Sequence, residues 1–201
     1  MQIVLASANA GKQREFTALL APYGIELLLQ TALGIESIEE TGATFADNAL
    51  LKARHAARAA SLPALADDSG LEVDALGGAP GVRSARFAGL AASDADNNAL
   101  LLERLAGTAL PQRTARYRCL LALVRDADDP APLLAEGLWE GHIGLAPTGR
   151  GGFGYDPLFV PAGMTGTAAE LPIEVKNRLS HRALALAQLV TKVAVEFGRR
   201  P

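Results

Sequence analysis

Residues Thr114 to Arg125 alternate around an apolar series, with Ala, Tyr, Cys, Leu and Leu at 115, 117, 119, 121 and 123. A period of two belongs to a β-strand with one face in a core. A second strand-like run, Leu133 to Leu145, follows the turn-forming Asp128-Asp129-Pro130, so the two read as a long hairpin. That commits this part of the chain to a sheet. Ahead of it, Gln2 to Ala6 reads as a strand, Gln13 to Leu20 as a helix, Ile25 to Leu29 as a strand, Phe45 to Ser61 as a helix and Ala64 to Ala66 as a strand. Helices alternating with strands, followed by a hairpin, point to an α/β fold with a mixed sheet. No repeat or linker interrupts residues 1–201, which predicts a single folding unit.

Local signals place the remaining boundaries. Thr44 with Asp47 three residues on predicts a capped helix start, and Ser93 predicts another before Asp94 to Leu105. Asp67-Asp68-Ser69-Gly70 and Gly77-Gly78-Ala79-Pro80-Gly81 read as turns. Gly149 to Asp156 is a glycine-rich loop, Leu158 to Val160 a short strand, and the rest is helical, with a final helix from His181 to Phe197 capped by Ser180.

The formal net charge of -3 gives no basic footprint for a nucleic acid backbone. No segment approaches the ~20 consecutive apolar residues of a membrane helix, and the start, Met1 to Ser7, lacks the charged and apolar regions of a signal peptide. The one cysteine, Cys119, has no internal disulfide partner, which fits a reduced compartment. The expectation is a cytoplasmic protein with no membrane and no nucleic acid partner. Of 19 basic residues only 4 are lysines, and three of these (Lys12, Lys52 and Lys176) fall in segments that carry chemistry. An ammonium is a compact point charge unlike the planar guanidinium, so these lysines read as chosen for geometry.

Four segments stand out. Ser7-Ala8-Asn9-Ala10-Gly11-Lys12 lies between a strand and a helix, where unpaired N–H groups, a positive dipole end and the Lys12 charge suit an anion; the alternative is a capped turn with Lys12 in water. Asp67-Asp68 after an apolar strand suits a magnesium ion or a general base; an Asx-type turn fits equally well. Gly151-Gly-Phe-Gly-Tyr-Asp-Pro157 offers Phe153 and Tyr155 as stacking faces and Asp156 as an acceptor for a ring N–H, unless it is simply a flexible loop. In Lys176-Asn-Arg-Leu-Ser-His-Arg182, His181 and Arg182 sit where cations oppose a helix dipole, which hints at a ligand bearing negative charge or acceptor atoms. The acidic pair Glu39-Glu40 lies in a segment without periodicity and reads by itself as solvated. Spacings of Cys and His suited to zinc, and the Gly-x-Ser-x-Gly elbow of serine hydrolases, do not occur.

Taken together, these segments resemble the inosine triphosphate pyrophosphatase family, also called non-canonical purine nucleoside triphosphate pyrophosphatases, and its bacterial branch most of all. The resemblance covers nearly the whole chain in order: Ser7 to Glu15, Glu39 to Ala49 with Lys52-Ala53, Ala66 to Leu76, Pro80 to Gly89, Gly152 to Pro157 and Lys176 to Arg182. At Asp47 many members carry Glu. The resemblance implies an elongated two-lobed α/β fold with a long central mixed sheet flanked by helices, the active site in the cleft between lobes, and a homodimer. It implies hydrolysis of purine nucleoside triphosphates such as ITP, dITP and XTP to the monophosphate and pyrophosphate, with Mg2+ as cofactor, cleansing the nucleotide pool. By the same resemblance Ser7, Ala8, Asn9, Ala10, Gly11 and Lys12 cradle the phosphates, with Lys52 a further phosphate contact. Asp68 is the proton acceptor and a metal ligand, Glu39 the other metal ligand with Glu40 its alternative, and Ser69 touches substrate. Phe153, Gly154, Tyr155, Asp156, Lys176, His181 and Arg182 hold base and sugar. The related pyrophosphatases of the septum-inhibitor type carry Ser-Pro-Arg-Arg after the first strand, where this chain has Ser7-Ala-Asn-Ala. A nucleotide sensor without catalysis is the reading from another class, and the retained Asp68 argues against it.

Overall fold

A computed structural model describes residues 2–196. The chain runs β1 (Gln2–Leu5), α1 (Ala10–Leu20), β2 (Glu26–Leu29), α2 (Phe45–Ala60), β3 (Ala64–Val73), α3 (Asp94–Arg104), β4 (Thr114–Val124), β5 (Leu133–Ile143), β6 (Phe159–Pro161), α4 (Ile173–Leu179) and α5 (His181–Glu196). Six strands form one sheet in the order β2-β1-β3-β4-β5-β6. β1 is parallel to both neighbours, with Leu5 opposite Leu29 on one side and Leu65 on the other. β6 is antiparallel to β5, with His142 opposite Val160. The α/β class with a mixed sheet is therefore what this sequence forms.

The chain divides into two compact units. One holds Cys119–Gly137 with the described residues up to Asp68 and from Arg182 on; the other holds Ser69–Arg118 and Leu138–His181. In the first unit, strand alternation sorts the core. Ile3, Leu5, Leu65, Cys119, Leu121 and Leu123 pack with Phe16 and Leu20 of α1 and Ala185, Leu186 and Leu189 of α5. Their sequence neighbours Val4, Ala6, Ala64, Ala66, Ala122 and Val124 pack with Ala49, Ala53, Ala56 and Ala57 of α2. In the second unit, Leu71, Val73, Leu101, Leu105, Tyr117, Trp139, Tyr155 and Phe159 form the core.

The caps expected for α2 and α3 are both present as capping boxes, Thr44 with Asp47 and Ser93 with Asp96. Other boundaries move. α1 begins at Ala10 rather than Gln13 because Asn9 caps it, its side chain accepting the Lys12 N–H. The turn expected at Asp67-Asp68-Ser69-Gly70 is strand, and β3 runs on to Val73. Aspartates favour turns when their carboxylates bond their own backbone; here Asp67 pairs with Lys12, and Asp68 with Asn48 and Lys52. Tertiary partners outweigh the local preference. The expected end of the last helix at Phe197 lies outside the described residues.

Candidate active site

In the first unit β1 has β2 on one flank and β3 on the other, so the chain leaves β1 in opposite directions. In open α/β sheets such a switch point, at the carboxyl ends of the strands, is where ligands bind. Ser7 to Asn9 follow β1 directly, and Ala10, Gly11 and Lys12 form the first turn of α1. Ser7 is buried while Ala8, Asn9 and Ala10 are exposed. The Asn9 N–H donates to Ser7 Oγ at 3.2 Å and Gln13 Nε2 donates to the Ser7 carbonyl at 2.7 Å, which fixes the loop.

Asp67 and Asp68 end this unit's part of β3, and as successive strand residues they point to opposite faces. They are therefore not a pair. Asp67, 1% exposed, takes an ion pair from Lys12 at 2.8 Å and lies 3.8 Å from Arg182 Nε. Burial alone would raise its carboxyl, yet Lys12, Arg182 and Lys52 hold it down to about 2. Arg182, itself buried, also binds Glu15 of α1 at 2.7 Å. The cation at the start of α5, which hinted at an anionic ligand, is thus matched by the protein's own Glu15 and Asp67.

Asp68 faces α2 on the other side. Asn48 Nδ2 donates to Oδ2 at 3.1 Å and Lys52 Nζ to Oδ1 at 3.1 Å. Asn48 and Lys52 are four residues apart, so the helix presents both on one face. The alanine face of α2 packs on Ala64 and Ala66 of β3 and Ala122 of β4. Lys52 also binds Glu40 Oε1 at 2.6 Å. Burial raises the Asp68 carboxyl and the Glu40 charge adds to this, while Lys52, Lys12 and Asn48 oppose it. The structure thus brings Glu40 to this cluster; Glu39 is exposed and makes none of these contacts.

Two carboxylates sharing one ammonium are hard oxygen donors in the number that magnesium takes from protein, the rest being water and phosphate oxygens. Among the described residues no three His, Cys, Asp or Glu side chains gather as a metal cage. The donor set fits Mg2+ in the manner of a substrate-completed site.

The second unit carries the remaining candidates. Ser69, half-buried, follows Asp68 in β3. In the glycine loop, Asp156 is buried and its Oδ2 accepts the Phe153 N–H at 2.9 Å and Lys176 Nζ at 2.6 Å. Gly152 has φ of +72°, and a Cβ there would strike the Asp156 carboxylate, so only glycine fits. Lys176 Nζ stands 5.0 Å from the centre of the half-buried Phe153 ring, a cation–π contact. Tyr155 does not offer a stacking face: it is 4% exposed and its hydroxyl donates to the Ser84 carbonyl at 2.8 Å. His181 is likewise buried, its ring stacked on Tyr117 at 4.6 Å between centroids and 8° between planes. No sequence motif marks Glu15 or Ser84 individually, nor Asn48 apart from its helix. Of these, only Asn48 carried a usable sequence signal, its spacing of four from Lys52.

An α/β sheet with lysines and a buried carboxylate at its switch point is a setting suited to phosphate groups. The Ham1 family matches residues 3–192. The dITP/XTP pyrophosphatase of Methylococcus capsulatus is 59% identical over 197 residues, covering 98% of each chain. That of Bordetella pertussis is 61% identical over 195 residues, covering 96% of this chain and 91% of its own. Among solved structures, a HAM1 protein from Coxiella burnetii superposes with a TM-score of 0.89 at 48% identity, covering 97% of this chain and 99% of its own. The Staphylococcus aureus Ham1 protein does so at 0.84 and 36%, covering 98% and 100%. This chain belongs to the Ham1 family.

Proposed function

We propose that this protein is a nucleoside triphosphate pyrophosphatase that hydrolyses deaminated purine nucleoside triphosphates such as ITP, dITP and XTP to the monophosphate and pyrophosphate. The observation that carries this reading is the buried Asp68 held between Asn48 and Lys52 where β3 leaves the first unit, with Lys12 close by on Asp67. A raised, buried carboxylate is a general base kept out of bulk water. Asp68 takes a proton from water as the water oxygen bonds to the α-phosphorus. The bond to the bridging oxygen breaks, and pyrophosphate leaves. Lys12, the N–H groups at the start of α1 and Lys52 stabilise the charge that grows on the phosphoryl oxygens. Asp68 with Glu40, or with Glu39 after a shift of its segment, would hold Mg2+. When bound, that ion supplies further charge neutralisation at those oxygens.

The base falls to Phe153, Gly154, Asp156 and Lys176 in this reading, with Ser69 a substrate contact from β3. Tyr155, His181 and Arg182 act through what they hold: the Ser84 carbonyl, the Tyr117 ring and the Glu15 carboxylate. The reading extends to a homodimer, supported by the family resemblance. It extends also to a cytoplasmic setting, supported by the unpaired thiol Cys119; among the described residues no helix is long and apolar enough to cross a membrane. The test is pyrophosphate release from inosine triphosphate with magnesium present. Release of orthophosphate alone would overturn the assignment of the scissile bond.

A further inference from the structure

The loop that carries Phe153 is held from α3 by two residues assigned no role so far. Asp94 Oδ2 accepts the Gly154 N–H at 2.6 Å, and Asn98 Nδ2 donates to the Gly154 carbonyl at 2.9 Å. The two side chains are four residues apart and so share a helix face. Between them they fix both peptide planes that meet at Gly154, because each peptide is rigid about its C–N bond. Gly154 has φ of +63°, so no side chain of its own assists. Of the flanking anchors, Tyr155 bonds Ser84, and Asp156 pairs with Lys176 and accepts the Phe153 N–H; neither of these bonds involves the Gly154 N–H or carbonyl.

Neither residue is accounted for by the needs of its helix. Ser93 and Asp96 already cap α3 as a complete box, which leaves Asp94 unnecessary as a cap. Asn98 is 9% exposed, and its Oδ1 has no hydrogen-bond partner among the described residues. A buried acceptor without a partner is destabilising, so packing alone favours an apolar side chain there. What the amide does is bond Gly154.

We infer that Asp94 and Asn98 are positioning residues that lock the Gly154 peptides and so hold Phe153, with the Lys176 ammonium over its ring, in the pose that receives the base. This rests on the pyrophosphatase reading above. Geometry of this kind matters because a small misplacement of a recognition loop is felt directly in substrate binding.

The test compares wild type with Asp94→Asn, Asp94→Ala, Asn98→Leu and the double variant Asp94→Ala/Asn98→Leu. Steady-state kinetics on inosine and adenosine triphosphates are read beside amide exchange of residues 151–156 in the free protein. Asp94→Asn keeps an accepting oxygen and should behave as wild type. The double variant should raise KM for inosine triphosphate about tenfold, roughly what one hydrogen bond is worth, with a smaller fall in kcat. Its preference for inosine over adenosine should fall, and its loop amides should exchange faster. Asn98→Leu removes a buried unpaired acceptor, so it should fold even if the double variant does not, and it should show the same changes in lesser degree. Wild-type KM, preference and exchange in the folded variants would overturn the inference. A wild-type protein that releases no pyrophosphate would defeat the functional reading instead, and the exchange measurement then decides the clamp alone.

Discussion

Asp67 and Asp68 are adjacent carboxylates with opposite electrostatics. Asp68 is raised by burial and by Glu40, as suits a proton acceptor; Asp67 is held down by cations. Asp68→Asn should lower kcat by ~10²–10⁴, the usual worth of a general base, with substrate binding weakened much less. A folded Asp68→Asn protein that turns over as wild type would remove Asp68 from the mechanism. For Asp67 the expectation concerns stability. Its carboxyl titrates at about 2 instead of 3.8, so the folded state favours the ionised form. That stability is in full force above the unfolded value and is lost as pH falls from about 4 toward 2, amounting to about 2 kcal/mol. Asp67→Asn should melt lower than wild type at pH 7, since it leaves Lys12 and Arg182 short of a counter-charge, and the gap should narrow as pH drops through that window. A gap independent of pH would show that the ion pairs of Asp67 do not stabilise the fold.

In the proposed mechanism the chemistry depends on helix α2, because it presents Asn48 and Lys52 to Asp68. Its start is fixed by the Thr44 capping box, in which the Thr44 side chain accepts the Asp47 N–H and Asp47 reaches back to the Thr44 N–H. Thr44→Ala should cost about 0.5–2 kcal/mol, a drop in Tm of a few degrees for a chain of this size. An unchanged melting curve would mean that packing alone sets the start of α2. This element was legible in the sequence because its cap, its length and its alanine face all agree. β3 was not: Asp67 to Gly70 carry turn-forming residues, and only the distant Lys12, Asn48 and Lys52 make a strand the better solution there. The loop before α1 misled for a similar reason, as Asn9 is itself the cap. The candidate site was readable as a set of segments. Which aromatic faces a ligand was not, because the burial of Tyr155 depends on Ser84, far away in sequence.

At the scale of the molecule the account makes two linked claims. Magnesium should be required yet not retained on purification, since the protein offers only a few carboxylates to it; chelator should abolish activity and excess magnesium restore it. Stoichiometric zinc with activity surviving magnesium removal would contradict this. The central claim is that the enzyme selects purines with an oxygen at position 6. Lys176, an ammonium with three N–H donors beside the Phe153 ring, suits an acceptor oxygen. The amino group of adenine sets donor against donor and leaves buried N–H groups unpaired at about 1–3 kcal/mol each. The most direct test measures kcat/KM for pyrophosphate release from inosine, xanthosine, guanosine and adenosine triphosphates at one magnesium concentration. Inosine and xanthosine triphosphates should exceed adenosine triphosphate by a factor that can reach ~10⁴. Equal values for inosine and adenosine triphosphates would contradict the account and leave only a general triphosphate pyrophosphatase.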